Sequence, residues 1–176
     1  TVDVIVSNNA GSIYEVGAAD TIASLELSGT NASVILTDYL TVAAGTNTIA
    51  GVISGAGNLT ISSGTTTFTT AQTFTGDLAL SAGAIVFDSN STLESGNSDM
   101  AIDNDGTITY SSTAAQTLSG VISGDGSIIK NESSVLTLGG TNTFTGDLTV
   151  NGGTVDVNGT LADTVDVIVS NNAGSI

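Results

Sequence analysis

The sequence predicts an all-β chain wound as a parallel β-helix, a single continuous stack of turns, and three observations carry that expectation. A long block recurs. Gly51–Gly55 (GVISG) returns at Gly120–Gly124, and Thr73–Leu78 (TFTGDL) returns at Thr143–Leu148. The two intervals are nearly equal, the second being longer by a single position. Between these markers apolar residues alternate with Thr, Ser and Asn, and Gly or Asn punctuates at short intervals. That is the two-residue period of strands joined by tight turns. Finally, no long stretch keeps a helical period, so helices are not available to cover a parallel sheet. A solenoid covers it instead by wrapping the sheet around its own core. Sandwiches and barrels are the other architectures open to short strands without helices. The repeats favour the solenoid, because each can continue into the next, and Gly or Asn at corners supplies the positive φ that sharp bends need.

Along the chain, Thr1–Val6 alternates and ends at a Ser-Asn-Asn-Ala-Gly turn, so it reads as a strand. Ser12–Val16, Ile22–Leu27 (IASLEL), Ser33–Thr37, Tyr39–Ala43 and Asn47–Ile53 follow as strands. In the first copy of the block, strands are expected near Leu59–Ile61, Thr66–Thr69, Asp77–Leu80 and Ala84–Phe87. Ser89–Asp99 (SNSTLESGNSD) is the most polar stretch and is expected to be a lateral loop. Met100–Ile102 and Thr107–Tyr110 resume the pattern. The second copy places strands near Ser127–Ile129, Val135–Leu138, Asp147–Val150 and Thr154–Val157.

Thr164–Ile176 (TVDVIVSNNAGSI) is identical to Thr1–Ile13. The expected organisation is therefore one tandem repeat unit over 1–163 and the start of the next over 164–176. A near-perfect long repeat of this kind implies a longer tandem array; a chain that ends on a partial copy is the bland alternative. With about 20 residues per turn, one unit makes roughly eight turns and advances on the order of 40 Å at the spacing of neighbouring strands.

Composition narrows function more than it names it. One basic residue, Lys130, stands against 17 acids, a formal charge of −16. Nucleic acid is excluded as a partner, because phosphate contacts need Lys and Arg, and anionic lipid is disfavoured for the same reason. No apolar run reaches the ~18 residues of a membrane-spanning helix, so no membrane insertion by this segment is expected. His and Cys are absent, which removes Ser-His-Asp and Cys-His catalysis and His/Cys zinc sites. Two carboxylates suffice for a glycosidase, so a polysaccharide-acting β-helix enzyme remains a remote alternative. Its site would lack the cations and aromatic platforms that sugar binding uses. The chain is expected to be no enzyme, with no catalytic residue, no cofactor and no metal site.

Residues 126–153 (GSIIKNESSVLTLGGTNTFTGDLTVNGG) carry a recognisable order of features. Ile128 and Lys130 fill a Leu–x–Lys place, Leu136 and Leu138 a Leu–x–Leu, and Gly140, Asn142, Thr143, Phe144 and Gly146 a Gly–x–Asn–Thr–Tyr–x–Gly, with Val150 and Gly153 closing. The stretch resembles the autotransporter-associated β-strand repeat, also called the passenger-associated transport repeat. The earlier copy matches more loosely through Gly57, Leu59, Phe74, Gly76, Leu80 and Gly83; it lacks the Lys, and Gln72 replaces the Asn. The resemblance implies a right-handed parallel β-helix in the exposed passenger region of a bacterial surface protein, exported and extracellular, of the kind found in adhesins, autoaggregation factors and stalks.

Asp103-Asn104-Asp105-Gly106 presents hard oxygen ligands at alternating positions before a Gly, like half of a calcium loop. It lacks an acid at position 101 and the closing Glu, so an Asx-rich turn is the favoured reading of Asp103 and Asp105. Asp77 and Asp147 hold matching places in the two TFTGDL copies and would form a surface row of acids or serve as turn residues. Lys130 is expected to be solvated, near Glu132. Phe74 and Phe144 are expected in the core. Five Asn-x-Ser/Thr sequons, beginning at Asn31, Asn58, Asn90, Asn131 and Asn158, follow from composition. The function expected is that of a structural repeat in a long surface fibre or adhesin stalk, with an adhesive passenger module as the alternative. The partners expected are adjacent identical repeats stacked end to end. Homotypic fibre–fibre contact and a host or neighbouring cell surface are further candidates.

Overall fold

The computed structural model describes residues 2–7, 11–93 and 100–170. These residues form strands and turns, with no helix among them. The first turn is β1 (Asp3–Ser7), β2 (Ile13–Val16) and β3 (Asp20–Ile22), and the second is β4 (Ser24–Ser28), β5 (Ser33–Leu36) and β6 (Leu40–Val42). The third is β7 (Thr46–Ile49), β8 (Val52–Gly55) and β9 (Leu59–Ile61). The fourth is β10 (Thr65–Phe68), β11 (Thr73–Phe74) and β12 (Leu78–Leu80). β13 (Ala84–Phe87) and β14 (Ile102–Asn104) belong to the fifth turn, and β15 (Thr107–Tyr110), β16 (Gln116–Leu118) and β17 (Ile122–Ser123) make the sixth. β18 (Ser127–Lys130), β19 (Val135–Leu138), β20 (Leu148–Val150) and β21 (Thr154–Val157) continue the winding, and β22 (Val167–Val169) opens a ninth turn.

Every pairing is parallel and joins one turn to the next. The first face is a nine-stranded sheet, β1-β4-β7-β10-β13-β15-β18-β20-β22, that runs the whole described length. The second face carries β2, β5, β8 and β11, then β16, β19 and β21; the third carries β3, β6, β9, β12, β14 and β17. The break in the second face lies in the fifth turn. It is stitched by Gln72 N–H donating to the Thr92 carbonyl at 2.7 Å and Leu93 N–H donating to Gln116 Oε1 at 2.7 Å. The expected lateral loop at Ser89–Asp99 begins here, and its residues 94–99 lie outside the described residues. From β1 to β22 the first face advances by eight strands, so Val4–Val6 and their identical copy Val167–Val169 lie eight turns apart.

Alternation decides which side chains enter the core. Along the first face one inward column is Val6, Leu27, Ile49, Phe68, Phe87, Tyr110, Lys130, Val150 and Val169, each opposite the next. On the third face Leu40, Leu59, Leu78, Ile102 and Ile122 stack likewise. Burying one such side chain contributes roughly 1.5–3 kcal/mol. The Phe68 and Phe87 rings stack at 5.4 Å, and Phe87 meets Tyr110 at 5.7 Å in a tilted pair.

Two expected strands are in fact corners. Ile22–Leu27 divides between β3 and β4 with Ala23 as the bend, and Asn47–Ile53 divides between β7 and β8 at Ala50-Gly51. So short a bend, made of small side chains, leaves little turn chemistry in the sequence to read. Glycine is required where the third face turns back to the first. Gly64 and Gly83 both have positive φ, 83° and 85°. A Cβ on Gly64 would lie 2.1 Å from the Gly45 carbonyl oxygen, and one on Gly83 2.1 Å from that of Gly64.

The recurring block does not return to the same face. β8 lies on the second face and its copy β17 on the third; β9 lies on the third and its copy β18 on the first; β10 lies on the first and its copy β19 on the second. The interval between the copies is thus three turns plus one face.

Candidate functional site

Lys130 departs most from expectation. It is fully buried, not solvated. Ser127 and Ile129 point outward on β18, so Ile128 and Lys130 point inward by alternation alone. Its Nζ donates to the backbone carbonyl of Glu132 and lies 5.7 Å from the centre of the Tyr110 ring, within cation–π range. Burial pulls its pKa below the usual lysine value, against the opposing pull of Glu132. Burial likewise pushes the Tyr110 phenol up to about 12, a hydrogen bond with Ser112 opposing it. The amine therefore ends the aromatic ladder from inside the core, where no outside group reaches it.

Buried amides form a second set, Asn47, Gln72, Gln116 and Asn142, with no catalytic or metal-ligating residue among them. Gln72 accepts from Ile53 N–H at 2.7 Å and donates to the Gly51 carbonyl at 3.2 Å. Asn142, its counterpart in the second copy, accepts from Ile122 N–H at 3.1 Å and donates to the Gly140 carbonyl at 3.0 Å. Gln116 accepts from Leu93 N–H at 2.7 Å. Asn47 accepts from Leu25 N–H at 2.9 Å, where the β4–β7 pairing narrows to Leu27 opposite Ile49. Each amide oxygen accepts from a backbone N–H of the turn before it. A signal for them was present, since Ala-Gln-Thr occurs at both 71–73 and 115–117 with Gln at the inward position.

The acids do not converge. Asp103 is exposed and accepts from Ser123 Oγ at 3.3 Å; Asp105 accepts from Asp125 N–H at 3.1 Å. Asn104 between them is buried, accepting from Gly106 N–H at 3.2 Å and donating to the Ser127 carbonyl at 3.2 Å. These side chains of the tetrapeptide thus each serve their own turn or a neighbouring one. Among the described residues no group of three or more acids is placed to hold a metal ion. Asp77 and Asp147 are not a row. Asp77 precedes β12 on the third face and accepts from Ala101 N–H at 2.9 Å, while Asp147 precedes β20 on the first. Phe74 and Phe144 are both fully buried, as expected. The core void beside Phe87, Ile108 and Leu136 is about 10 Å³, room for one water at most.

Nine large hydrophobic residues are exposed among the described residues, and seven belong to the first or last turns: Val2, Ile5, Ile13, Val157, Val167, Ile168 and Val169. At the C-terminal end an apolar hollow of about 290 Å³ opens between Val150, Val155, Val157 and Val169. At the other end Tyr14 donates to Asp20 at 2.5 Å across the first turn, which pushes the phenol up to about 12.

Comparison with known proteins identifies one segment. Residues 128–157 match the family model of the passenger-associated-transport-repeat. No curated protein and no solved structure matches the chain. The matched segment runs from β18 through β21, and its signature positions Ile128, Lys130, Leu136, Leu138, Asn142 and Phe144 are all buried. Over residues 128–157 the positions that match the passenger-associated-transport-repeat are thus core and corner positions of the winding.

Proposed function

We propose that this chain is a load-bearing, non-catalytic segment of an extracellular bacterial surface fibre, one period of a tandem array that spaces a distal tip from the cell. One observation carries the reading. The nine-stranded first face runs without interruption from β1 to β22, and the sequence of β1 recurs in β22 on the same face after eight turns. Successive periods would continue the same face and extend the fibre by about 38 Å each, eight strand spacings. The absence of His and Cys and the outward scatter of the acids favour mechanics over catalysis. Electron microscopy of cells carrying the surface protein with one period, residues 1–163, added or removed tests this. Filament length should change by ~38 Å per period; an unchanged length would exclude the spacer role.

A second reading, direct adhesion, draws on the outward side of the first face. Thr46, Thr48, Thr65, Thr67, Thr107 and Thr109 alternate there with buried residues. Cell–cell or cell–host binding that falls on Thr67→Lys and Thr109→Lys together, with filament length unchanged, would favour it.

A further inference from the structure

We propose that the peptide bond between Lys130 and Asn131 is a folding-gated cleavage site for proteases that read a basic side chain. It is closed while the turn of β18 and β19 is wound and open once that turn unwinds. Lys130 is the sole basic residue of the chain, so this is the one bond such an enzyme can recognise. The gate goes beyond the fibre reading and holds for a single period as well as for an array. β18 lies between β15 and β20 of the same chain, so both strands that flank the bond are the chain's own.

Cleavage needs three groups free, and each is engaged. A protease of this kind seats the basic side chain in a specificity pocket. That of Lys130 is fully buried, with Nζ donating to the Glu132 carbonyl and facing the Tyr110 ring. The attacked carbonyl must enter an oxyanion hole. The Lys130 carbonyl instead accepts from Asn151 N–H at 2.8 Å and Gly152 N–H at 3.3 Å. The leaving nitrogen must take up a proton from the protease. Asn131 N–H instead donates to the Tyr110 carbonyl at 3.0 Å. The Asn131 side chain adds two ties, donating to Ser111 Oγ at 2.9 Å and accepting from Asn151 at 2.9 Å. These bonds reach the turns on both sides, so the three groups come free together when the turn parts from its neighbours. In the opened chain water then supplies hydroxyl to the Lys130 carbonyl carbon and hydrogen to the Asn131 nitrogen as the bond between them breaks. A wound chain therefore passes such proteases intact, and a chain that fails to wind is cut.

Trypsin digestion of the full chain, followed by mass spectrometry, tests the gate. A peptide of residues 126–136 in the same solutions calibrates the protease. In buffer the chain should be cut after Lys130 at least about 10³-fold more slowly than the peptide. The difference should vanish across the urea unfolding transition. Acetic anhydride, which acetylates accessible amines, reads the side-chain seal separately. Lys130→Met combined with Glu132→Lys moves the amine two positions, to the exposed side of the same corner. That lysine should be acetylated at least about tenfold faster than Lys130 in the folded parent. Cleavage in buffer at a rate near the peptide's, or a slow rate that urea does not raise, would overturn the gate. Equal acetylation of the two lysines would overturn it as well, since the side chain would then reach solvent without unwinding.

Discussion

At the scale of single residues, the polar side chains inside the core are where sequence and structure diverge most, and where substitutions read most clearly. Lys130 was legible by alternation as an inward position, yet charge alone assigns a lysine to solvent. What retains it is a carbonyl acceptor at Glu132 and the Tyr110 ring, neither of which sequence spacing supplies. Because burial lowers its pKa, the unfolded chain binds more protons than the folded one between the lowered value and about 10.5. Stability from this group therefore rises with pH through that window and is reduced below it. Lys130→Met should be more stable than the parent at neutral pH by on the order of 1 kcal/mol. It should also lose the rise in stability with pH between the lowered lysine value and about 10.5. Urea unfolding of both chains across that range checks this, and parallel curves would show that the amine is not desolvated. Asn142→Ala leaves Ile122 N–H and the Gly140 carbonyl without their side-chain partner and should cost about 1–3 kcal/mol. Gly64→Ala adds strain at positive φ and a Cβ against the Gly45 carbonyl, and should cost about 1 kcal/mol or more. Gly17→Ala, with nothing near its added Cβ, should lie within ~0.5 kcal/mol of the parent. The same urea titrations measure all three.

At the scale of elements, strands with clean alternation were legible to the residue: Leu59–Ile61, Ala84–Phe87, Thr107–Tyr110, Val135–Leu138 and Thr154–Val157 stand where the pattern placed them. The short second-face strands β11 and β16 were not, because their inward positions hold Gln72 and Gln116 or leave too few alternations to count. The rotation of the recurring block by one face was also hidden. A sequence block carries no mark of the face it starts on, and only the winding shows that the second copy begins a third of a turn out of phase. Corresponding strands thus meet different sets of neighbours, which explains why the two copies agree in pattern more than in side chains. Stability along the stack should fall from middle to ends. Hydrogen exchange should find the amides of β7, β10 and β13 slowest and those of β22 fastest, since β22 has one partner strand and exposed side chains. Uniform protection across the nine strands would contradict that gradient.

At the scale of the whole molecule, charge and open ends oppose each other. In the isolated 176-residue chain β1 and β22 each have one partner strand among the described residues, and such edges promote association. The formal charge of −16 resists it, with Asp156 and Asp163 near one end and Asp3, Glu15 and Asp20 at the other. End-to-end association should therefore strengthen as salt shortens the screening length from roughly 30 Å at 0.01 M to 8 Å at 0.15 M. Light scattering of the full chain over that range should show growth with salt. A decrease would mean that ionic contacts, not apolar ones, join the copies.

Fold class, the approximate length of a turn and the exclusion of His- and Cys-based chemistry follow from the amino-acid sequence without further help. They depend on alternation, recurrence and residue types, all of which are local or countable. The three-dimensional winding was needed to show that the recurring block steps round by one face and that the sole lysine lies inside. It was needed too for the amides that close the corners, and for the place of β22 in the sheet of β1 eight turns on. Each of those depends on how the length of every corner adds up along the winding, a sum that no single stretch of sequence contains.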